Sequence, residues 1–389
     1  MPSMISPSCV RSFPRFLHAG VSLLLLPLAA NGQPVANPVV RNVRLVVTVD
    51  DGERSGGSYL LASIASVVAT PAGDLFVLDR TESDIKVFNR QGRYLRTVAR
   101  RGSGPGELSG PPFTMLRTDS AIVVTDIMLR RNVYFGFDGK HLRTLSHARE
   151  TSGNQLSAPQ TTLPMRKGWA LRISPPQSVD FNPDPFSHVM VHSSVQARTD
   201  TLARIRSDIL IIDRNNGKKI RRDIASTRVG DGGAWAAYAD SLVVLVDGYE
   251  GTVRWVDFET GVPRMRRTER LAGVSVPTTM KDFEGAKDAA LRAWRKINPQ
   301  TEITVVEMPP RHTLADRALF SDDASLWVGA PPKGDSSTWT VFPRSGPSFA
   351  VVLPAQFHLT YIQGNRLYGH GVGPDDTPQV FVYELDVRQ

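Results

Sequence analysis

Cysteine is all but missing. The one cysteine among 389 residues is Cys9. It stands ahead of the main apolar stretch, so the rest of the chain has no disulfide, no thiol nucleophile and no cysteine metal knuckle. A lipoprotein signal would place its cysteine just after that stretch, which argues against a lipid anchor. Asn-x-Ser/Thr sequons are absent as well. Long hydrophobic runs are scarce: residues 21–30 are too few to span a bilayer as a helix, and no later stretch is long and apolar enough to do so. Neither charge sign dominates, with 46 Lys+Arg against 38 Asp+Glu. No block of mixed basic and aromatic residues of the nucleic-acid-reading kind is present. At 41% apolar and 22% charged residues, disordered, collagen-like and multi-span membrane classes are excluded.

What the N-terminus does have is a basic head, Arg11 and Arg15, four leucines at 23–26, and small residues at Ala29-Ala30-Asn31-Gly32. This pattern predicts a secretory signal peptide over residues 1–32, with the mature end at Asn31 or Gln33. A periplasmic or secreted bacterial protein is expected, with residues 33–389 as a single domain. The 46 basic residues less Arg11 and Arg15 leave 44 against 38 acidic ones. Such a mildly basic exported chain can meet anionic surfaces or ligands.

Glycine (31) and proline (28) are plentiful, and they punctuate a repeat. Gly73-Asp74-Leu75-Phe76-Val77-Leu78-Asp79 leads to Ile85-Lys86-Val87-Phe88 and then Gln91-Gly92-Arg93-Tyr94-Leu95. Ile122-Val123-Val124-Thr125-Asp126 leads in the same way to Val133-Tyr134-Phe135 and Asp138-Gly139-Lys140-His141-Leu142. Leu75 and Ile122, Asp79 and Asp126, and Gly92 and Gly139 are each 47 residues apart. Short β-branched and aromatic runs between Gly/Asp turns are antiparallel strands. A four-stranded unit recurring at this period is a propeller blade. Looser units follow at Trp169, Leu242, Leu326 and Leu367, which makes six. The run 44–49 lies ahead of the first unit and is expected to supply the missing outer strand of the last, closing the ring and hiding an edge.

The long gaps must hold insertions. Thr279 with Asp282 three residues on reads as a helix start. Phe283, Ala286, Ala290, Trp294 and Ile297 form an apolar stripe ended by Pro299. A helical insertion over about residues 274–312, between blades 4 and 5, is therefore expected to pack on the propeller. Asn216-Gly217 signals a hairpin, within an elongated blade 3 whose extra strands spill toward blade 4. The prediction is an all-β six-bladed β-propeller of four-stranded antiparallel blades, closed by the N-terminal strand.

Residues 64–145 resemble the NHL-repeat group of six-bladed β-propellers. The most specific piece is Gly102-Ser103-Gly104-Pro105-Gly106-Glu107-Leu108, where Leu108 stands for the usual Phe and Ser109-Gly110 precede Pro111-Pro112. The other blades match in rhythm only, and the whole resembles exported bacterial six-bladed propellers. The resemblance implies that the end of each second strand leads into loops on a ligand-binding face. The wider superfamily includes binding modules, lactonases and lyases, so fold does not choose among them.

No GxSxG, HExxH, P-loop, CxxC or complete EF-hand loop is present; Asp213-x-Asn215 begins like a calcium loop, but Gly217 comes one residue early. The pairs Asp50/Asp51, Asp322/Asp323 and Asp375/Asp376 sit beside turns and read as solvated loop acids. His188 and His192 read as one strand face, about 13 Å apart, too far to share a metal. Asp79 and Asp126 read as acids that bond the backbone of the loops after them.

The loop residues beyond these anchors are the candidate ligand contacts: Arg80, Glu82 and Asp84 in blade 1, Arg130 and Arg131 in blade 2, Arg172 in blade 3, Tyr249 and Glu250 in blade 4, and His370 in blade 6. Propeller loops converge on one mouth, where charges far apart in sequence meet. The expected protein is a monomeric binding scaffold for a protein, a glycan or an anionic small molecule, with no catalytic residue, metal ligand or cofactor identified. The alternative is a lactonase, hydrolase or lyase using Ca²⁺ or Zn²⁺ at the channel. The glycines at 102–106 are expected to turn the chain between blades, at least one with positive φ, rather than to hold an anion.

Overall fold

A computed structural model describes residues 39–386, apart from 51, 53–58, 111–113, 127, 130, 147–158, 166–167, 174–185, 194–197, 207–209, 216–219, 226–231, 239–241, 296–300 and 307–309. The expected signal peptide, Arg130, Asp51, Pro111-Pro112 and Asn216-Gly217 lie outside the described residues.

Strands β1 (Val39–Arg41) and β2 (Val43–Val49) come first. Blade 1 is β3 (Ile64–Ala69), β4 (Leu75–Asp79), β5 (Asp84–Phe88) and β6 (Tyr94–Ala99). Blade 2 is β7 (Thr114–Arg117), β8 (Ile122–Asp126), β9 (Arg131–Phe135) and β10 (His141–Ser146). Blade 3 is β11 (Pro159–Met165), β12 (Gly168–Ile173), β13 (Phe186–Ser193) and β14 (Arg198–Arg206), followed by a hairpin of β15 (Leu210–Asn215) and β16 (Ile220–Ala225). Blade 4 is β17 (Gly233–Tyr238), β18 (Leu242–Asp247), β19 (Thr252–Asp257) and β20 (Arg264–Arg270). Then come α1 (Met280–Arg295) and β21 (Thr301–Val306). Blade 5 is β22 (Arg317–Phe320), β23 (Leu326–Gly329), β24 (Ser336–Phe342) and β25 (Phe349–Pro354). Blade 6 is β26 (His358–Gln363), β27 (Arg366–Val372) and β28 (Pro378–Leu385), completed by β2.

The ring closes as the sequence predicts. β2 runs antiparallel to β28, Val43 facing Leu385 and Val49 facing Val380. β1 adds a fifth, parallel strand to blade 5 beside β25, so the N-terminal segment holds two blades. Inner strands are stitched to one another by hydroxyls. Ser66 donates to the Met115 carbonyl at 3.0 Å. The Thr360 hydroxyl accepts from the Val67 N–H at 3.1 Å and donates to the Val67 carbonyl at 2.8 Å.

The core follows from strand composition. Every residue of β4 and β8 is buried, and Phe76, Phe88 and Phe135 are at most 1% exposed. Each such aromatic contributes about 1.5–3 kcal/mol by leaving water. The 47-residue spacing also has a packing cause. Gly139, at φ +83°, lies so close to Val98 of the preceding blade's outer strand that an added Cβ would sit 2.5 Å from it. Gly92, at φ +86°, meets Val47 and Val49 of β2 in the same way. Each turn seats on the blade before it, so the glycine recurs with the blade.

The glycine-rich turn is structural, and it does hold an anion: its own. The Gly104 N–H donates to the Glu107 carboxylate at 2.9 Å, and Arg100 donates to the other oxygen at 2.8 Å. These bonds, the Gly104 amide first, hold Glu107 below the usual carboxylate range. Gly106 has φ +75°, where a residue with a Cβ is strained.

Two expectations need correction. The strands after blade 3 do not extend it toward blade 4: β15 pairs with β16 on one side and with β21 on the other, making a separate three-stranded sheet from both insertions. Helix α1 packs against β21 of that sheet. Its start is as expected, since the Thr279 hydroxyl and the Asp282 carboxylate bond at 2.6 Å and the Asp282 N–H donates to Thr279 Oγ1 at 3.2 Å. His188 and His192 both lie on β13.

Candidate functional site

In every blade the first residue of the inner strand faces the end of the second strand. The pairs are Ile64 with Asp79, Thr114 with Thr125, Pro159 with Ile173, Gly233 with Asp247, Arg317 with Gly329, and His358 with His370. These positions form one rim of the channel. Three consecutive blades, 5, 6 and 1, bring basic or imidazole groups to it.

Blade 6 supplies two histidines from one hairpin. β26 and β27 turn at Gly364-Asn365, with Gly364 at φ +57°, and this register sets His358 opposite His370. Their rings stack, with centroids 5.2 Å apart and planes 21° from parallel. His358 is exposed at the edge and His370 is half-buried behind it. The enclosing protein first, then the neighbouring His358 and Arg80, hold His370 down to about 4. The enclosing protein and then Arg317 lower His358. Both shifts favour the neutral ring.

Blade 5 supplies Arg317, which is held rigidly. It donates to Asp316 at 3.2 Å and to Ser337 Oγ at 2.8 Å, bonds the Ala330 carbonyl, and lies 5.0 Å over the Trp339 ring. Blade 1 supplies Arg80, whose N–H donates to the Ser63 carbonyl at 2.7 Å. The preceding Asp79 fixes this loop: one oxygen accepts from the Ala62 and Ser63 amides, the other from those of Thr81 and Glu82. Ser83 in the same turn has φ +55°, which costs a residue with a Cβ about 1–2 kcal/mol.

The remaining candidates are placed differently. Glu82 is exposed on the blade 1 turn. Asp84 pairs with the buried Lys86 at 2.5 Å, and burial, opposed by that pairing, raises its pKa. Arg131 is 8% exposed, and its donors go to Asp126 at 3.1 Å and to the carbonyls of Ser103 and Glu107 at 3.0 and 2.7 Å. It binds the glycine-rich turn instead of facing the mouth. Tyr249 and Glu250 give their amides to Asp247 at 3.0 and 2.9 Å, so blade 4 repeats the loop-holding aspartate of blade 1. Arg172 stands on β12 opposite Val189. Arg80 and His370 are the two that come together.

His358 and Arg317 were not among the sequence-predicted contacts. A signal existed for His358: it and His370 lie almost symmetrically about Gly364-Asn365, so a hairpin centred there must pair them. Arg317 had no local signal, because only the ring places blade 5 beside blade 6.

At the opposite end of the inner strands, Arg117 of blade 2 donates to the Tyr361 hydroxyl of blade 6 at 2.5 Å, passing blade 1. Burial, opposed by Arg117, raises Tyr361 to about 12. Among the described residues, no three His, Cys, Asp or Glu side chains are grouped to hold a metal ion. No helix among them is long and apolar enough to cross a membrane.

Comparison with curated proteins finds no match. Among solved structures, the chain is similar to a protein of Bacteroides fragilis described as exported, at 11% identity and TM-score 0.47, over 90% of this chain and 99% of that one. It is also similar to the calcium-binding protein regucalcin of Agrobacterium tumefaciens, at 11% identity and TM-score 0.44, over 90% and 97%. Virginiamycin B lyase of Staphylococcus aureus follows at 8% identity and TM-score 0.40, over 88% and 100%. Residues 57–160 match the model of a protein family described as a 6-bladed beta-propeller. With six blades among the described residues, the chain is a six-bladed β-propeller.

Proposed function

We propose that this is an exported, non-catalytic β-propeller that binds an oxyanion-bearing ligand at the mouth formed by blades 5, 6 and 1. The observation that carries this reading is the stacked His358–His370 pair at the rim, flanked by Arg317 and Arg80 from the neighbouring blades. Imidazole N–H groups and guanidinium charge favour an oxyanion over a cation or a neutral sugar. The loop holding Arg80 keeps a costly φ at Ser83, as loops that position a functional group often do. The 44 basic against 38 acidic residues left after the expected signal peptide draw anions toward the protein. Export rests on Arg11, Arg15 and the apolar run at 21–30. For the metal-dependent hydrolase or lyase reading, the described residues offer the His358–His370 pair but no group of three His, Cys, Asp or Glu side chains.

The test is a thermal-shift and calorimetric panel of sulfate, citrate, glucose and choline on the full chain. Sulfate or citrate should bind saturably, glucose and choline should not. A charge-assisted contact contributes about 1.5–3 kcal/mol, so Arg80→Gln should weaken anion binding about tenfold or more. Binding of glucose or choline with no response to anions would refute the proposal.

A further inference from the structure

Independently of the mouth, we infer that the outer strand of blade 4, β20, is a docking edge for an extended acidic segment of a partner protein, which pairs with it as a fifth strand.

The edge is open. Among the described residues β20 ends its sheet, with β19 on one side and no strand on the other. Six of its seven residues are exposed, a larger share than in β6 or β10, the outer strands of blades 1 and 2. The ring already shows what such an edge accepts. In blade 5 the outer strand β25 takes β1 as a fifth strand through only three residue pairs. An edge strand offers its unpaired N–H and C=O groups to any segment that can lie along it.

The side chains of β20 decide which segment that is. Four of its seven residues are arginines. Arg266 bonds Asp257 at 2.5 Å, and Arg267 pairs with Glu269 at 3.3 Å and lies 4.2 Å over the Trp255 ring. Arg264 and Arg270, both exposed, join no ion pair among the described residues. Arginines on an edge repel a second copy of the same strand and so guard against self-association. The same charges attract a strand that carries carboxylates. Met265, 55% exposed between them, offers apolar contact to a β-branched residue of that strand.

The register adds a spacing rule. β20 bulges at Arg266, between the pairs Val256–Met265 and Trp255–Arg267. The extra residue puts Arg264 and Arg270 on opposite faces: they stand opposite Asp257 and Thr252, five positions apart on β19. A regular partner strand therefore meets both arginines with acids at i and i+5, one on each face.

The probe is the peptide Glu-Val-Thr-Val-Thr-Glu, blocked by a fluorophore at one end and an amide at the other, and titrated by anisotropy with the full chain. One control replaces both glutamates by lysine. The other replaces both threonines by proline, which keeps the charge but removes ladder N–H donors. We expect saturable binding of the acidic peptide, weakened by added salt, and no saturable binding of either control. Arg264→Glu combined with Arg270→Glu should lower the affinity about tenfold or more. The milder pair Arg264→Gln and Arg270→Gln gives the same reading if the reversed-charge variant fails to fold. Equal binding of the lysine peptide would overturn the charge selection. Equal binding of the proline peptide would reduce the contact to charge alone and overturn strand pairing. Binding unchanged in the arginine variants would overturn the place assigned to the segment. Phosphatidylglycerol vesicles that bind the chain and displace the peptide would give the arginines to a membrane surface instead. No binding of the acidic peptide would overturn the docking edge itself.

Discussion

Asp126 shows how single residues hold this protein together. Burial alone would push its carboxyl up, but bonds from the Ser109 hydroxyl and amide, the Leu129 amide and Arg131 outweigh it and lower the pKa. A carboxylate with a depressed folded pKa contributes stability above its ordinary value of 3.8, and loses it as the pH falls through the folded value. Asp126→Asn should therefore cost about 2 kcal/mol at neutral pH, and the deficit should shrink as wild type and variant are unfolded in urea at pH 4, 3 and 2. A deficit unchanged with pH would mean that the negative charge is not what holds the turn. The repetition of Asp79 and Asp126 after a β run made their loop-binding part legible. Arg131, next to the same loop, read as a ligand contact because its carbonyl partners lie 24–28 residues upstream. Sequence proximity carried no sign of them. The exposed Asp322 likewise bonds the Gly364 amide at 2.9 Å, across the seam to the next blade.

Among the elements, β2 has the most consequence for its length. Its pairing with β28 converts an open arc of blades into a ring and removes a free edge. Deleting residues 44–49 should broaden urea unfolding or cause aggregation; a variant that unfolds like the full chain would show that closure is not needed. This strand was legible because the last repeat ran out of residues one strand short. The start of α1 was legible too, since a capping box is local. Its packing partner was not. β21 follows blade 4 while β15 and β16 follow blade 3, and only long-range pairing joins them in one sheet. Strand periodicity tells which face is apolar, not which distant segment will cover it.

For the whole molecule, the six-fold rhythm determines where function can sit. A ring brings the start of every inner strand and the end of every second strand to one rim, so Arg317, His358 and Arg80 stand at the same rim although 278 residues separate Arg80 from His358. His370 was legible as a rim position from its place in the repeat; the company it keeps was not, because that depends on blade order around the ring. The most direct test is NMR of the full chain carrying ¹³C-labelled histidine rings, titrated with sulfate at pH 6. Two ring signals, assigned by their loss in His358→Gln and His370→Gln, should move together and saturate, while those of His141, His188 and His312 stay in place. If the His358 and His370 signals do not respond, or if only the other histidines do, the mouth across blades 5, 6 and 1 is not the binding site.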